Sequence, residues 1–122
     1  MVYYDATNRR GMDMSSACTA TIPASLGPGI FMLGTRDVAT PLRDSVESAL
    51  DAGSGTICVD FRELLVSHSF MDEFLGVMIL RRGPGVLDRL IFRNCNDDVK
   101  AIIQLVASIR TRDYEGSTAL AT

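Results

Sequence analysis

The sequence predicts an α/β fold, a small sandwich whose mixed, mostly parallel sheet carries helices in the order β-β-α-β-α-β-α. Three observations point there. Short β-rich runs alternate with stretches of helical period, glycine and proline mark short connections between them, and 47% of the 122 residues are apolar. That length suits one domain with one core, which needs no disulfide or metal to fold.

Residues 1–16 hold no sustained period and are expected to form a loose arm, with a short strand at Val2-Tyr3-Tyr4. Residues 17–22 are small and β-branched and residues 30–33 are an apolar run. Pro23 and Gly27-Pro28-Gly29 supply the turn between these two expected strands. From residue 38 the period is helical. Val38, Leu42, Val46, Ala49 and Leu50 share a face, and Arg43, Asp44, Glu47 and Asp51 take the other. Pro41 fits the first helical position with Thr40 as cap, and Gly53 and Gly55 end the helix.

Residues 56–61 read as a central strand, followed by a helix over 70–82 with Ser69 as cap and Asp72 at capping-box spacing. Gly83-Pro84-Gly85 stops that helix, and residues 89–93 form another strand. Asn96 then caps a last helix with Asp97 and Asp98 in its first turn, where the helix dipole favours negative charge. Its buried stripe is expected to be Val99, Ile102, Ile103, Leu105, Val106 and Ile109. The domain thus spans 17–112, and residues 113–122 are small and polar enough to fray.

Composition excludes several functions. Twelve basic and fifteen acidic residues give a net charge of −3 without a basic run, which disfavours nucleic acid as a partner. The longest apolar stretch, residues 74–80, is far too short to cross a bilayer. Cys18, Cys58 and Cys95 stand far apart, so neither a disulfide framework nor a zinc site is expected, and reduced thiols in a cytoplasmic protein fit best. A single histidine, His68, removes multi-histidine metal sites. No cofactor motif is present, since Gly83-Pro84-Gly85 is a turn and not a phosphate cradle. Asp72 and Glu73 are adjacent carboxylates, but on a helix they diverge by about 100° and cannot flank one bond, so no catalytic residue is assigned.

The middle helix carries the most information. A wheel places Phe70, Met71, Phe74 and Met78 toward the sheet, and Asp72, Glu73, Gly76, Ile79 and Leu80 on the outer side. An apolar outer face rimmed by carboxylates is what a protein partner would use; a neighbouring helix of the same fold would cover it equally well. Gly76 sharpens the choice, because a mid-helix glycine costs about 1 kcal/mol against alanine and implies close approach by something.

Leu33-Gly34-Thr35-Arg36 before an amphipathic helix, then Val59-Asp60-Phe61 and Ser69-Phe70-Met71-Asp72-Glu73-Phe74-Leu75-Gly76, resemble the STAS-like domain family of unknown function. That bacterial group is related to the STAS domains of sulfate transporters and anti-sigma factor antagonists. The resemblance covers residues 30–112. It implies a small α/β sandwich without catalysis, acting in protein–protein regulation, often beside a histidine-kinase-like ATPase.

Anti-sigma factor antagonists carry Asp-Ser-Ser/Thr-Gly-Leu at this helix start, with a hydroxyl that the partner kinase phosphorylates. Here Glu73 stands where serine would be, and Ser67 and Ser69 are the candidate substitutes one turn or less upstream. Arg36, between a strand and a helix, is the candidate anion contact or the ion-pair partner of Asp72 or Glu73.

Two functions follow as expectations. The first is a partner-switching interaction module that binds an ATPase or an anti-sigma factor through Asp72, Glu73, Gly76, Ile79 and Leu80, with self-association left open. The second is a small-anion or nucleotide sensor built around Arg36 and the helix start at Ser69.

Overall fold

The structure, a computed structural model, describes residues 3–4, 18–25, 29–30, 32–53 and 55–121. Most of the expected 1–16 arm and the Gly27-Pro28 part of the first turn lie outside the described residues. Four strands form the main sheet: β1 (Tyr3–Tyr4), β2 (Cys18–Pro23), β4 (Thr56–Asp60) and β6 (Leu90–Arg93), in the order β1-β6-β4-β2. Every pairing in it is parallel, so each connection must cross over a sheet face, which is what the alternating helices do. The expected α/β sandwich is therefore observed.

The second expected strand does not join that sheet. Among the described residues of that run, Met32–Leu33 is strand (β3), and it pairs in parallel with Leu65–Val66 (β5) as a separate two-stranded ribbon. An apolar run identifies a strand but not its neighbour, and β5 is too short to show a period.

The crossover between β2 and β4 is α1 (Ala39–Asp51), which buries Ala39, Leu42, Val46 and Leu50. It begins two residues earlier than Pro41 implies: Ala39 N–H donates to Arg36 O at 3.1 Å, and Thr40 is not the cap. Pro41 is tolerated at the third position because the first N–H groups of a helix have no intrahelical partner. Arg43, expected on the wet face, is buried as well.

Between β5 and β6 run α2 (His68–Met71), a π-turn (Asp72–Gly76), α3 (Val77–Arg82) and a 3₁₀ turn (Pro84–Arg89). The cap is Ser67, not Ser69: Ser67 Oγ accepts from Phe70 N–H at 3.1 Å, which makes Ser69 the second helical residue. Gly83 ends α3 with φ +85, a conformation that favours glycine. The last helix, α4 (Asp97–Ala121), starts where expected, with Asn96 Oδ1 accepting from Val99 N–H at 2.8 Å. It runs to Ala121 rather than ending near Arg112. Val99, Ile103, Val106 and Ala107 are its buried stripe, and Leu105 and Ile109 are exposed, since they lie about 100° and 60° beyond the edge of that stripe at Val106.

The core lies between the β4–β6 centre of the sheet and these helices, with Phe61, Phe70, Phe74 and Phe92 as its largest side chains. One further expectation is corrected. Cys18 and Cys58 are joined in a disulfide, their Cα atoms 5.8 Å apart. Parallel pairing of β2 with β4 brings together residues 40 apart in sequence, which spacing alone does not reveal.

Candidate functional site

The candidate site residues converge on the π-turn. A π-turn inserts one extra residue into a helix and is often found where function requires it. Here Val77 N–H donates to Asp72 O, five residues back. Asp72 opens the turn with only 5% of its surface exposed. An ionised carboxylate so placed needs charge-assisted partners, and it has two.

Arg110 of α4 grips it as a fork, Nε to Oδ1 at 2.6 Å and Nη2 to Oδ2 at 2.7 Å. Arg36 adds Nη1 to Oδ2 at 3.0 Å. These bonds, Arg110's foremost, hold the Asp72 carboxyl below its ordinary 3.8 against the opposing effect of burial. Asp72 raises the Arg36 and Arg110 guanidiniums in turn.

Glu73 is held from the other side. Arg36 Nη1 lies 3.5 Å from Oε1, and the buried Arg43 of α1 donates Nη1 to Oε2 at 2.8 Å and to the Glu73 carbonyl. Three arginines from the loop before α1, from α1 and from α4 thus converge on two adjacent carboxylates. The expected Arg36 ion pair is present, and it occupies the guanidinium on which an anion site would rest.

Gly76 has a specific reason to lack a side chain. A Cβ there would stand 2.7 Å from Asp72 Oδ1 and 3.1 Å from Arg110 Cγ. The close approach implied by a mid-helix glycine is therefore made by α4 of the same chain. The same helix packs along α2, the π-turn and α3 and covers the face expected to point outward. Ile79 on that face is 0% exposed and cannot form part of an outer patch. Leu80, about 100° further round, is 40% exposed.

The two candidate phosphoacceptors differ. Ser67 is committed on both sides: its Oγ caps α2 and donates to Gly34 O at 2.9 Å, while its N–H donates to Leu33 O at 2.9 Å. Those bonds tie the β3 end to the start of α2. Ser69 is exposed at the first helical turn. At the carboxyl ends of the main strands, Asp60 Oδ1 accepts from Arg62 N–H and Asn94 Nδ2, both at 2.9 Å, and Arg36 does not join them.

The feature that sequence reasoning missed is the ribbon surface. Met32 and Leu65 are register partners and are 62% and 53% exposed, and Ile30 and Val38 are exposed too. Met32 and Leu65 each lie in a short apolar run; only the parallel register turns Met32 and Leu65 out and Leu33 in. Arg43 and Arg110 were also missed, since nothing local distinguishes an arginine that reaches across a fold from a solvated one.

Chemically, Asp72 is engaged on both oxygens by arginines that hold it ionised, and so is poorly suited to proton transfer near neutrality. Among the described residues, no group of three or more His, Cys, Asp or Glu is placed to hold a metal ion. An open groove of about 750 Å³ beside α4, lined by Leu87, Gln104, Ser108 and Arg112 among others, shares no residue with the cluster. No helix among the described residues is long and apolar enough to cross a membrane.

A family model described as a STAS-like domain of unknown function matches residues 38–100, within the span over which the sequence resemblance was drawn. No curated protein matches the chain, and no solved structure matches it.

Proposed function

The chain belongs to the family of STAS-like domains of unknown function, and from that premise we propose that it is a non-catalytic regulatory module that acts by binding another protein. The observation that carries this reading is the exposed pair Met32 and Leu65 on the β3–β5 ribbon, flanked in sequence by exposed Ile30 and Val38. Large apolar side chains gathered on one surface favour removal from water, at about 25 cal/mol per Å² buried. Ser67 binds this ribbon to the start of α2, so exposed His68 and Ser69 and the half-exposed side chain of Arg36 can set a partner's register beside it.

The surface in this reading therefore moves from the Gly76–Ile79 face to the ribbon and the helix start; Leu80 stays exposed and is not needed. The finer reading is partner switching. The family's kinship with anti-sigma factor antagonists supports a histidine-kinase-like ATPase or an anti-sigma factor as partner, in the cytoplasm. Glu73, tied to Arg36 and Arg43, supplies a permanent charge at the position where those relatives are phosphorylated.

Site-specific photocrosslinking tests it. A crosslinker at position 32 of the full chain in its native host should yield one main adduct, an ATPase of that type. Met32→Asp with Leu65→Asp should then weaken the purified pair at least tenfold while leaving Tm within a few degrees. Unchanged affinity in that double variant refutes the ribbon as the docking surface.

A further inference from the structure

β2 is an edge strand of the main sheet, opposite β1. Among the described residues it pairs with β4 alone, and its six residues alternate between half-buried and exposed, none being buried. β4 by contrast buries Ile57, Cys58 and Val59 and keeps a second, unbroken ladder to β6 from Ile57↔Leu90 to Asp60↔Arg93. Segments with little buried surface and a single ladder are the first to open. The β2 ladder is also irregular where the disulfide stands. Cys18 faces Thr56 but Ala20 faces Ile57, so the register shifts between them and the covalent bond takes the place of regular pairing.

We infer that the Cys18–Cys58 disulfide is a reducible latch on β2: exchange with an external dithiol releases this edge strand from β4 while the rest of the sheet and its helices stay folded. The two sulfurs differ in access. Cys58 has no exposed surface, whereas Cys18 is half-buried on the open edge. The incoming thiolate attacks Cys18 Sγ, the S–S bond breaks, and its electron pair leaves on Cys58 Sγ, which takes up a proton. The reductant's second thiol then displaces Cys18 and closes the reductant's own disulfide. Two electrons pass from the dithiol, which is oxidised, to the protein, which gains two thiols. A protonated Cys58 remains at home in the core, because a free thiol packs as a small hydrophobe.

Hydrogen exchange read by mass spectrometry on the full chain, with and without dithiothreitol, tests the latch. Iodoacetamide labelling in denaturant should count one adduct before reduction and three after it. Reduction should then lower protection of the β2 amides at least tenfold more than that of β6 and α4. Cys18→Ser should show the same loss without reductant, and the wild-type comparison decides should that variant fail to fold. Three adducts before reduction would overturn the inference. So would β2 protection that is unchanged, or that falls by the same factor as β6 and α4, which would make the bond a general stabiliser only.

Discussion

Arg110 reaches Asp72 by passing over Gly76: its Nε and Nη2 lie 2.6 and 2.7 Å from the two carboxylate oxygens, and a Cβ on residue 76 would stand 3.1 Å from its Cγ. α4 supplies the positive charge, and the π-turn supplies both the carboxylate at its first residue and the gap at its last. Arg36 closes the arrangement from the loop before α1, which binds three separate parts of the chain at one buried group.

Removing that charge should destabilise the fold in a pH-dependent way. The folded value of Asp72 is depressed, chiefly by the Arg110 fork, so its contribution is complete above the ordinary 3.8 and is lost as pH falls from there through the folded value. Asp72→Asn keeps the shape and should cost about 2 kcal/mol at pH 7, a magnitude typical of charge-assisted hydrogen bonds whose partners can rehydrate. Urea denaturation of both proteins at pH 7 and pH 2 checks the sign, because the gap should narrow on acidification. A gap of the same size at pH 2 would assign the loss to packing instead.

Gly76→Ala should be unfavourable although alanine is the better helix former. The added Cβ meets Asp72 Oδ1 at 2.7 Å, and that oxygen is not free to move while Arg110 holds it. We expect a net loss of about 1–2 kcal/mol, the strain exceeding a propensity gain of about 1 kcal/mol. In an Asp72→Ala background the carboxylate is gone and Arg110, no longer tied to it, can give way at its 3.1 Å contact, so the same substitution should stabilise. A double-mutant cycle by chemical denaturation reads the coupling directly.

The two serines of the helix start should separate cleanly. Ser67→Ala removes the bond to Phe70 N–H and the bond to Gly34 O together, and should cost about 1–2 kcal/mol. Ser69→Ala alters an exposed second helical position and should stay within about 0.5 kcal/mol. Thermal melts of the two variants side by side suffice. Equal losses would contradict the assignment of Ser67 as the cap.

These residues also show where sequence logic holds and where it stops. Period and turn chemistry carried the alternation of strands and helices, the Asn96 cap and the Gly83 stop, because each depends on neighbours within a turn or two. The Ser67 cap was missed by two residues for a related reason: both serines satisfy the local pattern, and the bond to Gly34, 33 residues away, decides between them. Arg43, Arg110, the Cys18–Cys58 bond and the β3–β5 ribbon are all set by long-range register. A helical wheel likewise divides a helix into faces without saying which face a later helix will cover. α4 lies farther along the chain, and it covers the face that the wheel left open.

Adjacent residues of α3 give the last test of that packing. Ile79 is 0% exposed on the covered face and Leu80 is 40% exposed beside it, so two similar side chains one position apart should respond oppositely. Ile79→Ala leaves a cavity in the core beneath α4 and should cost about 2–5 kcal/mol. Ile79→Asp adds an unpaired buried charge and should leave no folded protein at room temperature. Leu80→Asp puts its charge in water and should change stability by less than about 1 kcal/mol. Circular dichroism melts of the three variants measure the contrast, and a well-folded Ile79→Asp would mean that α4 does not cover this face in solution.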